Sequence, residues 1–391
     1  MVWIHGGAYV MGNKLDSSAG NSSGLIAASQ KDGSLGMIYV SINYRLGSLG
    51  FISGESYESE GGVSNLGLRD QRLALEWVQK YIHLFGGDPK KVTVSGGSAG
   101  AGSIIYHLIS KSKENLPFQK AWVESPGLIP TSHSTRELAA NKLLEQLGAS
   151  SFAEARVLPS EQIIRANADV ISVAKTGSFV YAPVEDGSYI PETAAVSLRK
   201  GNVHKGVKLM ISHTKNEGYS FMPSYASTDD SFTEFLKQMF PYASESTISY
   251  IVHNLFPISN YGGLWYERVA DFVGSFGLKC HAHALTKAYG NETYNYEWSV
   301  FPAFHGYDFL NVFFAGNRYG GIVNSTYAEL LQSYIANFVK TGTPNGDGLL
   351  TWPVEGPKSQ ILNLTALGPV LQKDSTASKE CLWLETHDLL M

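Results

Sequence analysis

The sequence predicts an α/β protein with a mainly parallel β-sheet and helices on both of its faces. Three observations carry that expectation. Short β-branched or apolar runs alternate with amphipathic helical segments along the chain, the order that buries a parallel sheet between helices. The run Val92-Thr-Val94 enters Gly96-Gly-Ser98-Ala-Gly100, a tight turn leading into an apolar helical segment over 101–109. Finally, 391 residues at 43% hydrophobic and 17% charged suffice for a large ordered core.

Taken in order, Val2-Trp3-Ile4 reads as a strand running into His5-Gly-Gly-Ala8, a loop stripped of side chains. Residues 37–43 form a second buried strand. Over 66–85 the apolar residues Leu68, Leu75, Val78, Ile82 and Phe85 recur at helical spacing until Gly86-Gly87 and Pro89 stop them. The elbow strand follows, then Ala121-Trp122-Val123. Between about 130 and 205 the pattern turns helical and more polar, with segments at 137–147 and 161–174, and reads as a cap-like excursion from the sheet. Strands are expected at 207–212 and 294–298, with helices at 232–240 and 266–289 between them. Ser325 is placed to cap an amphipathic helix over 327–340 that ends at Gly342 and Pro344. No internal repeat or low-complexity linker divides the chain, so 1–391 is expected to form a single domain.

The formal charge of −5 comes without a long run of either sign, which argues against nucleic acid or an anionic membrane as partner. No apolar stretch reaches bilayer-spanning length. No secretory signal is visible, because Met1-Val-Trp-Ile-His5 opens directly in a core-like strand. Sequons at Asn21, Asn291, Asn324 and Asn363 are candidate glycosylation sites in a secreted chain. Cys280 and Cys381 are compatible with one long-range disulfide or with two buried thiols. Cys280-His281-Ala-His283 does not predict a metal site, because residues i and i+2 of a helix face different directions.

The chemistry centres on Ser98. A serine hydroxyl is a weak nucleophile until a base takes its proton, and that base must itself be oriented by a third group. Glu217 follows a β-run, at the carboxyl end of a strand where open α/β sheets place their sites. Among the eleven histidines, His305 alone sits beyond Glu217 in a glycine-flanked loop after a strand. Glu185 and Asp186 are the alternative acids. The His5-Gly-Gly-Ala8 loop is suited to hold an oxyanion, although an ordinary glycine turn would look the same in isolation.

Several motifs resemble the type-B carboxylesterase family, which includes cholinesterases and fungal lipases. They are His5-Gly-Gly-Ala8, Asn43-Tyr-Arg-Leu-Gly47 with Gly50-Phe51, Asn65-Leu-Gly-Leu-Arg-Asp-Gln71, Phe85-Gly-Gly-Asp-Pro89, the elbow, Lys215-Asn-Glu-Gly218 and His305-Gly-Tyr-Asp308, in family order across nearly the whole chain. The resemblance implies an α/β-hydrolase fold and a serine hydrolase that cleaves carboxylic esters through an acyl-enzyme. It implies Ser98 as nucleophile, His305 as general base and then acid, and Glu217 as the orienting carboxylate. The oxyanion donors would be the backbone amides of Gly7, Ala8 and Ala99. It also implies a Cys280–Cys381 disulfide, secretion of the full-length form, a small-molecule or lipid ester as substrate, and no cofactor, metal or protein partner.

Two departures from the family qualify this expectation. The family usually carries Glu before the nucleophile, where this chain has Gly97, so a cationic substrate is disfavoured. Family members also carry an N-terminal block before the first loop, whereas this chain begins at that loop's strand, which reads as an N-terminally truncated form. That block would supply the lid of the fungal lipases and an acidic partner for Arg45, which is therefore expected to be buried and unpaired. The alternatives to an esterase or lipase are a catalytically silent binding member of the same fold and an inactive fragment.

Overall fold

The computed structural model describes all residues except 16–19, 112–114, 129–130, 174–179, 317–322, 388 and 390–391. Its strands are β1 (Val2–Ile4), β2 (Val40–Ile42), β3 (Thr93–Gly97), β4 (Lys120–Glu124), β5 (Lys208–Thr214), β6 (Tyr294–Trp298), β7 (Gln360–Thr365) and β8 (Gly368–Lys373). They join in one eight-stranded sheet of order β2-β1-β3-β4-β5-β6-β7-β8. Every pair is parallel except the terminal β7–β8 hairpin. β3 and β4 are buried along their whole length, as strands covered on both faces must be.

Two apolar layers flank the sheet. Val2, Ile4, Val94, Val123 and Ile211 face one layer, which includes the elbow helix Ala99–Ile109 and the helix Leu66–Tyr81. Trp3, Trp122, Met210, Tyr296 and Trp298 face the other and pack toward the helix Ser325–Thr341. Alternate residues of β1, β4 and β5 therefore divide between the layers, as strand periodicity requires. A third cluster of phenylalanines, among them Phe232, Phe235, Phe256 and Phe272, builds the helical region that follows β5. Among the described residues no helix is long and apolar enough to cross a membrane.

Between β4 and β5 the chain forms the helices His133–Leu147, Phe152–Ala155, Ser160–Ser172 and Ala194–Lys200. The structure departs from the sequence expectations at three points and adds one hairpin. The cap of the Ser325–Thr341 helix is Asn324, whose side chain accepts from the amides of Thr326 and Tyr327. The single helix expected over 266–289 is two helices, Trp265–Gly274 and Cys280–Ala288, separated by a π-turn at Ser275–Lys279. β7 and β8 form a hairpin at the end of the sheet that the sequence does not announce: β8 is a terminal strand with no buried residue, and Val370 and Leu371, which point to opposite faces, are both exposed, so its hydrophobic pattern marks no core face. Arg45 is neither buried nor unpaired. Its guanidinium is about half exposed and forms a two-pronged pair with Asp70, so the steep cost of an orphaned buried cation does not arise.

Cys280 and Cys381 are bonded to each other, joining the Cys280–Ala288 helix to the C-terminal helix Lys379–Thr386. The same two helices are held by His283 Nδ1 and Glu385 Oε1 at 2.6 Å. The bridge closes a loop spanning 101 positions. The chain-entropy argument for a loop of that length predicts that Cys280→Ser with Cys381→Ser costs about 3–5 kcal/mol. Urea unfolding of the double variant against wild type measures this, and a loss under about 1 kcal/mol would contradict the loop-entropy account.

Candidate active site

Parallel pairing delivers four loops to the same edge of the sheet. The His5–Ala8 loop leaves β1, Ser98 follows β3, Glu217 follows β5 and His305 lies beyond β6. Ser98 sits at φ 58° and ψ −122°, a backbone setting that a non-glycine residue adopts only under strain. Its amide donates to the Glu124 carbonyl at 2.9 Å, and its own carbonyl accepts from Gly102 and Gly127. The turn is therefore pinned to the end of β4 while it opens the Ala99–Ile109 helix.

The first loop lies directly against this turn. A Cβ placed on Gly6 would stand 2.7 Å from the Gly97 carbonyl oxygen and 3.0 Å from the Ser98 Cβ, so only glycine permits the approach. Beyond it Gly7, Ala8 and Tyr9 all have positive φ, at 110°, 53° and 63°. Strain at two non-glycine residues persists only when surroundings over-determine it. Here Tyr9 donates its hydroxyl to the Gly127 carbonyl at 3.1 Å, and the Tyr44 hydroxyl holds the His5 carbonyl at 2.7 Å. The His5 ring stacks on Tyr44 at 4.4 Å.

Glu217 and His305 are brought together by an extension of the β5–β6 pairing. The amide of Lys215 donates to Trp298, that of Asn216 to Ala303, and the Asn216 side chain to Pro302. These bonds bring the two loops to a common level, where His305 Nδ1 meets Glu217 Oε2 at 2.5 Å. The Glu217 carboxylate is fully buried, and its other oxygen accepts from the Thr214 amide at 2.7 Å. Burial pushes this carboxyl up, but the charge and hydrogen bond of His305, with the Thr214 amide, outweigh it and leave the group below its ordinary value. The alternative acids are engaged elsewhere. Glu185 pairs with Arg136, and Asp186 accepts from Asn65 and from the backbone of its own turn.

Gly97 also finds its reason here. A Cβ at that position would fall 2.1 Å from the Phe309 ring. The edge of an aromatic ring thus occupies the space that a side chain at 97 would need, and it packs the His305 segment against the elbow.

Sequence reasoning missed a second group of acids. Glu124 and Asp308 are both fully buried, and the Tyr296 hydroxyl lies 3.4 Å from one and 3.2 Å from the other. Burial, then their mutual charge, pushes Glu124 well up. Asp308 is raised to about 7, by burial first and by Glu217 second. Further along β5, His213 pairs across to Glu297 at 3.3 Å, with Ser375 and Ser299 donating to the same carboxylate. Asp308 closes the His305-Gly-Tyr-Asp308 motif, but nothing at sequence level shows which groups it meets; the β4-β5-β6 register lines up Glu124 with Tyr296 across Ser212, and His213 with Glu297.

The remaining expected residues are dispersed. His281 and His283 diverge, His283 toward Glu385 and His281 toward a separate cavity. Asn324 is exposed, and Asn21 and Asn291 are partly so. Asn363 lies in β7, buried, with its amide nitrogen donating to Gln372 at 2.7 Å.

Residues 1–382 match the model of the carboxylesterase family. The chain is 36% identical over 391 residues to Carboxylesterase patB of Penicillium expansum, covering 98% of this chain and 69% of that protein. It is 31% identical over 356 residues to a secreted lipase of Arthroderma benhamiae, covering 88% and 67%. The crystal structure of Aspergillus niger EstA superposes with a TM-score of 0.82 at 25% identity, over 98% of this chain and 80% of that one.

The raised carboxyl of Asp308 has a consequence for stability. In the folded protein it keeps its proton up to about 7, whereas unfolded it ionises near its ordinary 3.8. The folded state therefore binds more protons between those values, and stability falls as pH rises through them. Asp308→Asn removes this loss. Relative to wild type, the variant should gain on the order of 4 kcal/mol between pH 4 and pH 8. Urea melts across that range test it, and a difference that does not vary with pH would refute it.

Proposed function

This chain belongs to the carboxylesterase family, and from that premise we propose that it hydrolyses uncharged carboxylic esters through Ser98, His305 and Glu217 by way of an acyl-enzyme. The observation that carries the reading is the 2.5 Å bond from His305 Nδ1 to a fully buried Glu217 carboxylate, set on the same sheet edge as the strained Ser98 turn. A buried carboxylate is costly to keep charged, and one imidazole as partner offsets that cost. Such an investment suits a base that must become positively charged during each turnover.

In this mechanism Glu217 fixes the proton of His305 on Nδ1, which leaves Nε2 as the base. His305 takes the Ser98 proton as Oγ attacks the ester carbonyl carbon. The resulting oxyanion is held by the amides of Gly7, Ala8 and Ala99, each donor being worth about 3 kcal/mol in the transition state. His305 then protonates the departing alcohol. Water, activated by the same imidazole, attacks the acyl-Ser98 ester and releases the acid. No step calls for a metal or cofactor. Gly97, against which Phe309 packs, brings no carboxylate beside Ser98 to attract a cationic substrate. A disulfide and the kinship with a secreted lipase support an oxidising, extracellular place of work.

A binding protein of the same fold is the rival. It has no use for a strained serine and a buried ion pair together, and either would be dispensable.

Hydrolysis of p-nitrophenyl acetate, butyrate and palmitate by the purified protein tests the reading. Ser98→Ala should reduce kcat by about 10⁶. Glu217→Gln, which keeps the shape but frees the imidazole tautomer, should reduce it by about 10⁴. A Ser98→Ala variant as active as wild type would overturn the assignment, and the chain-length series separates esterase from lipase.

A further inference from the structure

Beside the triad the sheet carries a second polar row. Glu124 ends β4, Tyr296 lies in β6, and Ser212 of β5 stands between them in register. Across that small serine the Tyr296 hydroxyl comes within 3.4 Å of Glu124 Oε1 and 3.2 Å of Asp308 Oδ2. Asp308 is three positions beyond His305, and its carbonyl accepts the amides of Asn311 and Val312 at 2.9 and 3.0 Å. Tyr296 thus ties the segment that carries His305 to the end of β4.

A count of protons decides how this tie works. Glu124, Tyr296 and Asp308 are all fully buried. A tyrosine has one O–H, so it cannot donate to both carboxyls. Were both ionised, one of them would meet only the lone pairs of the Tyr296 oxygen and stand as a buried, unpaired charge. One carboxyl must therefore bring a proton of its own. Asp308 faces the anion of Glu217, but it also faces His305, which becomes positive in each turnover, and it is the nearer of the two to the hydroxyl. The groups acting on Glu124 are Asp308 and Tyr296, with Tyr39 close by, and none of them is a cation. Its Oε2 is buried without a partner, a cost far greater for an anion than for a neutral acid. Burial and then the Asp308 charge push Glu124 well up, whereas Asp308 is raised only to about 7, so Asp308 loses its proton first.

We propose that Glu124, in its neutral form, is a positioning residue for His305: its O–H donates to the Tyr296 oxygen, the Tyr296 O–H donates to Asp308, and this chain fixes the segment that bears the imidazole. Each donor in such a chain strengthens the next. The inference rests on the esterase reading above and adds a residue to it. An imidazole that takes the Ser98 proton and returns it to the departing alcohol works only within a narrow range of positions. Glu217 holds its Nδ1, and Phe309 packs the same segment on Gly97. The Glu124 chain supplies the polar anchor between those two contacts.

Steady-state hydrolysis of p-nitrophenyl acetate by three variants tests this. Glu124→Leu removes the donor and should lower kcat by about tenfold or more, with KM within about twofold of wild type. Tyr296→Phe breaks the same chain at its middle and should do the same, and the two together should cost little more than either alone. Glu124→Gln puts an amide N–H where the carboxyl O–H stood, so its kcat should stay within about threefold of wild type and follow the same pH profile. Thermal unfolding identifies any variant that fails to fold, and if Glu124→Leu does, Tyr296→Phe and Glu124→Gln decide the matter. A folded Glu124→Leu or Tyr296→Phe as active as wild type overturns this inference alone. So does a folded Glu124→Gln with kcat lowered tenfold or with a shifted pH profile, since the carboxylate rather than the acid would then be the working form. A folded wild-type protein that cleaves no p-nitrophenyl ester removes the esterase reading and this inference with it.

Discussion

The in-register parallel pairing of β3, β4, β5 and β6 is the constraint on which the rest of the molecule depends. It sets Ser98, Glu217 and His305, which lie far apart in the chain, at one edge of one sheet. The pairing continues past the regular strands. Ser98 donates to Glu124, Ser125 to Ser212, Lys215 to Trp298 and Asn216 to Ala303, so each loop is fixed to its neighbour before its functional residue begins. A slip of one residue between β5 and β6 would turn alternate side chains to the opposite face and separate Glu217 from His305.

Around this edge the protein tolerates two kinds of cost. One is backbone strain, at Ala8, Tyr9 and Ser98. Such strain persists only where the surroundings leave no alternative, and here Tyr9, Tyr44 and the bare backbone of Gly6 close the alternatives off. The other is buried charge. Glu217, Glu124 and Asp308 lie within one region of the core, and they resolve their crowding differently. Glu217 stays ionised because His305 and a backbone amide stabilise the anion, while burial drives the other two toward the protonated form. The same fold thus holds one carboxylate charged and keeps its neighbours from competing with it.

How far the chain could be read without coordinates differs from one residue to the next. Ser98 announces itself through a local pattern, because a strand-to-helix turn this tight requires small residues on either side of the serine. Glu217 and His305 were legible through chain order and loop setting. The acid pair Glu124 and Asp308 was not, since 184 positions separate them and, although Asp308 closes the His305-Gly-Tyr-Asp308 motif, nothing local says that it will meet Glu124. Arg45 was misjudged for the same reason. Its partner Asp70 stands 25 residues on, and no local rule says that those two side chains will meet.

By itself, the sequence determined the α/β class, the position of the elbow and the kinds of residue available for ester chemistry. These depend on local periodicity, on turn stereochemistry and on motif, all of which are written within a few residues. Only the tertiary structure decided which acid His305 would bind, that Phe309 fills the place beside Gly97, and that His281 and His283 look into different surroundings. The reason is physical. Such outcomes depend on strand register and helix packing summed over the whole core, and a difference of one residue in either would have chosen other neighbours.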